Sequence, residues 1–445
     1  MSDETSAPYA SELSAKTSVK SVKKLADLNS LSKEELVDRI RQLEFHVNQL
    51  KNVIAKNNGE KSGRAKHYKD RPFDWSKHSR RHVALRIAYL GWNYKGYVVQ
   101  EDTNETIEHV LFDALVATKL IKNRETSNYH RCGRTDKGVS AFCQVISIDL
   151  RSTQSSGLGV VPAENPVETD KPKPELDYTG ILNRILPDEI RVLAWVPVKT
   201  DFSARFDCNS RIYKYYFPKG DLNIELMKEA AQRLQGSHDF RNLCKMDVGN
   251  GVTCFVRQID KAEVMSETDD GYSICVFTVV SKAFLWHQIR CIMALVFMVG
   301  KGLEKPSIID ELFDVEKHPC KPQYTMANEL PLNLFECLYD DLEWSYNPDE
   351  VERLVSHYQQ LWSKQTVKST MLKALIDHLT NHSPTADHYH ADFLLSDYRR
   401  HSEHRPLLSR TTCSSLEDRK EYYAKRRKLD KCLKGTAVES SNPSD

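Results

Sequence analysis

Asp136 is the residue on which chemistry would turn. It stands in the segment Arg131-Cys132-Gly133-Arg134-Thr135-Asp136-Lys137-Gly138, with a guanidinium two positions before it and an ammonium directly after. Glycine lets a chain turn sharply and lie close to a ligand. A carboxylate beside cations is expected to stay ionised, because a nearby positive charge lowers its pKa by roughly one to three units. An ionised carboxylate can serve as a nucleophile. Alone the turn is weak evidence, since most such aspartates only cap turns. Three later segments hold further candidates: Phe202-Ser203-Ala204-Arg205-Phe206, Arg211-Ile212-Tyr213-Lys214-Tyr215 and Phe284-Leu285-Trp286-His287-Gln288-Ile289-Arg290. Tyr213 joins a π-face to a titratable hydroxyl, although a tyrosine in a β-rich stretch is more often core. Arg205 reads as a surface arginine or a phosphate contact. His287 reads as a satisfied core histidine.

The elements that must position these residues are legible in the hydrophobic pattern. Val83-Ala84-Leu85-Arg86-Ile87-Ala88-Tyr89 reads as a buried strand ending at Gly91, and a helix follows near Thr106 with Ile107, Leu111, Ala114 and Leu115 on one face. A strand over 144–150 places Ile146, Ile148 and Leu150 on one side, and the Asp136 turn lies between that helix and that strand. Strands are expected over 190–198, 211–217, 258–264 and 272–280, and helices over 224–234 and 284–299. Two similar mixtures of strands and helices imply two α+β domains side by side. The boundaries read as 83–200, with 152–177 an aperiodic inserted surface loop, and 201–345. A helical extension over 346–397 carries Val351, Leu354, Val355, Tyr358 and Leu361 on one face, and 398–445 is a charged tail.

Residues 1–30 are polar, Ser-rich and expected to be disordered. In the helix of 31–57, Ser32 and Glu35 make a capping box and Leu36, Ile40, Leu43, Val47, Leu50 and Ile54 make a heptad seam. That seam fits either a two-stranded coil or a helix docked on its own core. The 58–82 segment is basic, interleaved with Tyr68, Phe73 and Trp75, and reads either as a solvated linker or as a surface for phosphates and bases. With 63 basic against 62 acidic residues the formal charge of +1 says little. What counts for a polyanion is the clustering at 61–82 and 425–431. The 11 cysteines include no C-x-x-C pair, so neither a zinc site nor a disulfide framework is expected, and a reducing compartment is. The first thirty residues show neither a secretory nor a mitochondrial leader, and the apolar run 291–299 is too short to span a bilayer, so a soluble protein is expected. His382, His388, His390, His401 and His404 lack metal-ligand spacing. Lys425-Arg426-Arg427-Lys428 reads as a nuclear localisation signal or a nonspecific RNA contact, giving an expected distribution between nucleus and cytoplasm.

Taken in order and spacing, the segments around Asp136, Arg205, Tyr213 and Arg290, with Tyr94-Lys95-Gly96-Tyr97, resemble the motifs of the TruA family of tRNA pseudouridine synthases. The likeness runs over 83–344, interrupted at 152–177. Ser127-Asn128-Tyr129-His130-Arg131-Cys132, His238-Asp239-Phe240-Arg241-Asn242-Leu243-Cys244-Lys245-Met246-Asp247 and Glu304-Lys305-Pro306 look most like the eukaryotic branch acting on uridines 38 and 39 of the anticodon stem-loop. The resemblance implies an α+β fold with adjoining antiparallel sheets, a central basic cleft, a homodimer and no metal or organic cofactor. It implies that Asp136 initiates cleavage of the uridine N-glycosidic bond, by attack on the ribose or on the base. Tyr213 would stack on the target base and serve as a proton-abstracting base, and Arg290 would pair with Asp136 across the domain interface. Arg134 would fill the space left by the flipped nucleotide. Arg131, Lys137 and Arg205 would contact RNA. The rival reading is a tRNA-binding or RNA-chaperone protein without essential catalysis. That reading calls for loss of Asp136, Tyr213 or Arg290, and all three are present.

Overall fold

The computed structural model describes residues 73–166, 173–266, 271–382 and 404–426. The chain divides into Met1–Phe73 and Asp74–Asp445, and all that follows concerns the second unit. The Leu36–Ile54 seam, most of the basic 58–82 segment and the end of the tail lie outside the described residues.

Strand β1 (Ser79–Tyr89) is buried on both faces, which fits a strand with neighbours on both sides. Helix α1 (Ile107–Ala117) begins where expected, with the Thr106 hydroxyl accepting from His109 N as N-cap. After the short β2 (His130–Arg131), the Asp136 turn leads into β3 (Ser140–Ser152), which is antiparallel to β1 with Val83 opposite Ile148. The expected 152–177 loop contributes a two-residue strand, β4 (Val160–Val161), to the edge of β1. It is anchored by Glu175, which accepts from Arg81 at 3.1 Å and Ser152 at 2.8 Å. Helix α2 (Tyr178–Asn183) packs on β5 (Ile190–Pro197), which pairs antiparallel with β1.

The second half contributes β6 (Ser210–Pro218) and α3 (Ile224–Gln232). The single strand expected over 258–264 is two strands that serve different sheets. β7 (Gly236–Asp239) and β8 (Val256–Ile259) form a small two-stranded ribbon, whereas β9 (Lys261–Ser266) pairs with β10 (Ile274–Ser281). Asp260 separates them: its N–H bonds to Val280 O at 2.9 Å, so the chain changes partner within one residue. Helices α4 (Gln288–Gly300) and α5 (Ile308–Phe313) follow, then β11 (Leu332–Leu338) and the long α6 (Pro348–Thr380).

The α+β class expected from the pattern holds. Where the expectation was of adjoining antiparallel sheets, the strands of both halves join one 9-stranded sheet, in the order β4-β1-β3-β11-β6-β10-β9, with β2 paired to β3 and β5 to β1 off this path. The joint is parallel: β11 runs beside the start of β3, with Leu334 opposite Ala141, while its other edge pairs antiparallel with β6, with Leu334 opposite Tyr213. Ala141, Leu334 and Tyr213 therefore form one row. The strand that leaves the Asp136 turn is separated by a single strand from the strand that carries Tyr213.

Apart from Gln288 and Arg290 in its first turn, α4 is apolar all round, and every residue of it is buried, the pattern of a helix inside a core. Phe297 meets Phe217 edge-on at 5.3 Å and Tyr215 at 5.9 Å between centroids, locking α4 onto β6. Phe297→Ala would cost about 3–5 kcal/mol and loosen the helix that carries Arg290.

Candidate active site

The Asp136 turn is braced from beneath. The fully buried amide of Gln144 accepts from Gly133 N at 3.2 Å and donates to Gly133 O at 3.0 Å, mimicking a strand partner. The Thr135 hydroxyl bonds the buried Tyr89 hydroxyl at 2.8 Å, and Thr135 O accepts from Tyr97 N at 3.1 Å. Gly138 requires its glycine: its φ is +78°, and an added Cβ would come within 2.7 Å of Glu329 Cγ. Gly133 does not have a left-handed φ, and its nearest neighbour is the Tyr213 hydroxyl, 4.0 Å from where a Cβ would lie. The turn and the tyrosine therefore meet face to face.

Asp136 is about a quarter exposed and lies beside the start of α4, whose N-cap His287 brings Nε2 to 3.5 Å from Asp136 Oδ2. The positive end of a helix favours an anion there. Burial nevertheless raises the Asp136 pKa above the usual carboxylate value. Arg290, the Trp286 side chain and Lys245 work against that rise, and Glu329 adds to it. The expectation of a carboxylate held down by its sequence neighbours is thus corrected. Arg134 and Lys137 project to solvent, where their fields are screened.

Arg290 is buried and within electrostatic reach of Asp136, but it makes no direct ion pair with it. Its Nη2 donates to Glu329 Oε2 at 2.7 Å and its Nε to Ala327 O at 2.8 Å. The expected Asp136–Arg290 pair is therefore replaced by Glu329, which stands just before β11 and holds the guanidinium. Tyr213 is 8% exposed, packs edge-on against Phe284 at 5.1 Å, and has its hydroxyl pKa pushed up by burial.

His287 was read as a satisfied core histidine and is not one. It adopts a left-handed backbone (φ 57°), its Nδ1 is buried without a partner, and its side chain touches Asp136. Burial, with Arg290 and Lys245 nearby, pushes its pKa down to about 4, so the imidazole is neutral at physiological pH. A non-glycine residue in that backbone region stores roughly 1–3 kcal/mol of strain, a cost typical of functional positions. The left-handed φ has no signature in the local sequence. Glu329 was invisible for another reason, since it belongs to no motif.

The expected RNA contacts divide. Arg134, Lys137 and Arg205 are exposed, and among the described residues no carboxylate pairs with them. Arg205 lies over the exposed ring of Phe206 at 5.4 Å. Arg131 is different: it donates to the fully buried Glu108 at 2.7 Å, whose other oxygen takes Arg124 at 3.0 Å. Its charge is paired within the fold, between α1 and β2, unlike the three exposed cations.

A partly buried carboxylate beside a neutral imidazole and a tethered guanidinium, near Tyr213 and with exposed cations outside, fits an enzyme that acts on an anionic substrate through a carboxylate. Comparison with known proteins makes the class specific. The tRNA pseudouridine synthase family model matches residues 230–340. The tRNA pseudouridine(38/39) synthase of Homo sapiens is 44% identical over 432 residues, covering 89% of each chain. The protein of the same name from Saccharomyces cerevisiae is 40% identical over 327 residues, 70% of this chain and 72% of its own. The tRNA pseudouridine synthase A of Methanosarcina mazei is 30% identical over 299 residues, 66% of this chain and 99% of its own. The chain belongs to the TruA family of tRNA pseudouridine synthases, and it is an isomerase.

Proposed function

We propose that the enzyme isomerises uridines 38 and 39 in the anticodon stem-loop of tRNA, with Asp136 as the group that opens the N-glycosidic bond. The observation that supports this most is the convergence of Asp136, His287, Tyr213 and Arg290 from both halves of the sheet around the turn. The names of the human and yeast relatives supply the positions.

In the reaction the C1′–N1 bond breaks, the uracil rotates, and a C1′–C5 bond forms. C5 gives up a proton and N1 gains one, so the atoms balance without a co-reactant. Flipping the nucleotide costs a few kcal/mol, and Arg134, exposed at the lip of the turn, recovers part of it by stacking. Lys137 and Arg205 neutralise phosphates. Tyr213 presents a ring face to the base. Because burial keeps its hydroxyl protonated at neutral pH, it can take the C5 proton only after passing its own on, so stacking is the role its surroundings support. His287, neutral at physiological pH, sets its Nε2 3.5 Å from Asp136 Oδ2 and keeps a buried Nδ1 without a partner.

The test is tritium release from tRNA labelled at uracil C5. Release is expected from substrates bearing uridine at 38 or 39, is lost when both are cytidine, and is lost in Asp136→Ala with tRNA binding retained. Turnover in that variant would overturn the reading.

A homodimer is part of the same proposal. α6 spans 33 residues and, beyond its buried Leu354, leaves Trp362, Val367, Met371, Leu375 and Leu379 exposed. A second copy would cover that stripe. Met371→Glu with Leu375→Glu should give a monomer by sedimentation, and an unchanged dimer mass would exclude this face. Distribution between nucleus and cytoplasm, proposed from Lys425-Arg426-Arg427-Lys428, is tested by imaging a tagged protein in which those four residues are alanine.

A further inference from the structure

Three cysteines that lie far apart in the sequence meet behind the catalytic turn. Cys132 follows β2, Cys208 precedes β6 and Cys337 lies on β11, and their sulfurs all fall within 4.8 Å of one another. None is more than 3% exposed. The absence of any C-x-x-C pair had argued against a zinc site. The sheet itself supplies the proximity, because β11 lies between the strand that leaves the Asp136 turn and β6.

A second observation concerns charge. Arg211 is buried close to these sulfurs. Its guanidinium donates to Cys132 O at 2.9 Å, Arg205 O at 3.2 Å and Lys282 O. Among the described residues no carboxylate lies within ion-pairing distance of it. A buried guanidinium served only by carbonyls lacks a counter-charge, and such an arrangement is costly. Nearby, Ser210 accepts the Cys208 thiol on its carbonyl at 3.4 Å but leaves its own buried hydroxyl without a partner.

We propose that Cys132, Cys208 and Cys337 form a thiolate site for one zinc ion, which ties the Asp136 turn to the strands carrying Tyr213. Thiolates select thiophilic cations such as zinc or copper(I). Three thiolates and a divalent ion carry a net charge of −1, which the Arg211 guanidinium cancels, whereas copper(I) would leave an uncompensated charge. Zinc–sulfur bonds of about 2.3 Å in tetrahedral geometry put sulfurs about 3.8 Å apart. The present spacing therefore needs only a modest contraction, with the fourth position open to water or a neighbouring polar group. Cys132 is close to Asp136 in sequence and Cys208 close to Tyr213, so the ion would fix the distance between the two halves of the site.

The experiment uses the full chain, purified under reducing conditions without added chelator. About one zinc per chain is expected by elemental analysis. After removal of zinc and addition of cobalt(II), thiolate-to-metal absorption in the near ultraviolet should appear together with intense visible bands. Cys208→Ser and Cys337→Ser should each lose both signals. Cys275→Ser, a buried cysteine on β10 outside the cluster, should keep them and so controls for misfolding. In the zinc-loaded protein the three cluster thiols should resist alkylation and become reactive on chelation while circular dichroism still reports a folded chain. Substoichiometric metal with no cobalt absorption would overturn the proposal. So would copper(I) in place of zinc, a disulfide within the cluster, or an unchanged metal content in Cys208→Ser.

Discussion

Glu329→Gln separates the two things that Glu329 does to the site. The carboxylate holds Arg290 at 2.7 Å, and its charge adds to the forces that raise the Asp136 pKa. Glutamine keeps an oxygen for the guanidinium and fills the same space against Gly138, but removes the charge. A charge-assisted hydrogen bond worth roughly 1.5–3 kcal/mol becomes a neutral one worth about 0.5–1.5. The full loss of a buried partner, about 3–5 kcal/mol, is an upper bound that does not apply, because the Glu329 side chain is 30% exposed and its oxygen position is retained. A destabilisation of about 1–2 kcal/mol is expected, seen as a fall of a few degrees in Tm. Asp136, meanwhile, loses a like-charge neighbour and feels more of the Arg290 field, so its pKa falls. The acid limb of kcat/KM for tritium release should then move to lower pH. The measurement is a pH profile of wild type and variant on the same labelled tRNA, with Tm recorded at each pH. If Tm falls and the acid limb stays or moves upward, Glu329 does not act on Asp136 through Arg290, and the tethering described above is wrong.

Asp136→Asn should lower turnover by more than about a thousandfold without loss of stability at neutral pH. The folded carboxylate has a raised pKa, so its stabilising contribution is present in acid and lost as pH rises through the folded value; a clear fall in Tm at pH 7 would contradict the direction of that shift. His287 works in the opposite sense. Its pKa drops from 6.5 to about 4 on folding, so the unfolded chain binds the extra proton between those values and stability declines as pH falls through that window. The loss should be on the order of 2 kcal/mol after solvent screening, and denaturant titrations at both ends of the window should show His287→Asn flattening it. Arg205→Ala should weaken tRNA binding and reduce the magnitude of the salt-dependence slope by about one. Arg131→Ala should leave that slope unchanged and instead lower stability by less than the full cost of about 3–5 kcal/mol for an unpaired buried charge, because Glu108 loses one partner but keeps Arg124.

Periodicity revealed most elements because burial decides them locally. The Thr106 cap, the buried strand from Val83 and the largely apolar helix carrying Arg290 each follow from residues within a few positions of one another. What periodicity could not show was partnership. The residues of 258–264 read as one strand, yet Asp260 bonds across to Val280 and the chain divides between two sheets. The parallel joint of β11 with β3 depends on strands nearly two hundred residues apart, and nothing in either strand encodes its neighbour.

The site shows the same limit in sharper form. Asp136, Tyr213 and Arg290 were legible because each lies in a compact motif, and motifs preserve residue type. Their electrostatics were not legible, since a charge adjacent in sequence can point away in space. Arg134 and Lys137 flank Asp136 and project to solvent, whereas Glu329, which belongs to no motif, helps set its proton affinity. Arg131 makes the converse point: it lies inside the most informative motif of the chain, yet its guanidinium is spent on Glu108. Membership of a motif therefore identifies which residues assemble at the turn, and only the partner of each charge decides whether it serves the substrate or the fold. By that criterion Arg134, Lys137 and Arg205, exposed and with no described carboxylate paired to them, are the cations proposed for RNA. Arg290 belongs to the site because Glu329 leaves it within reach of the carboxylate without neutralising it outright.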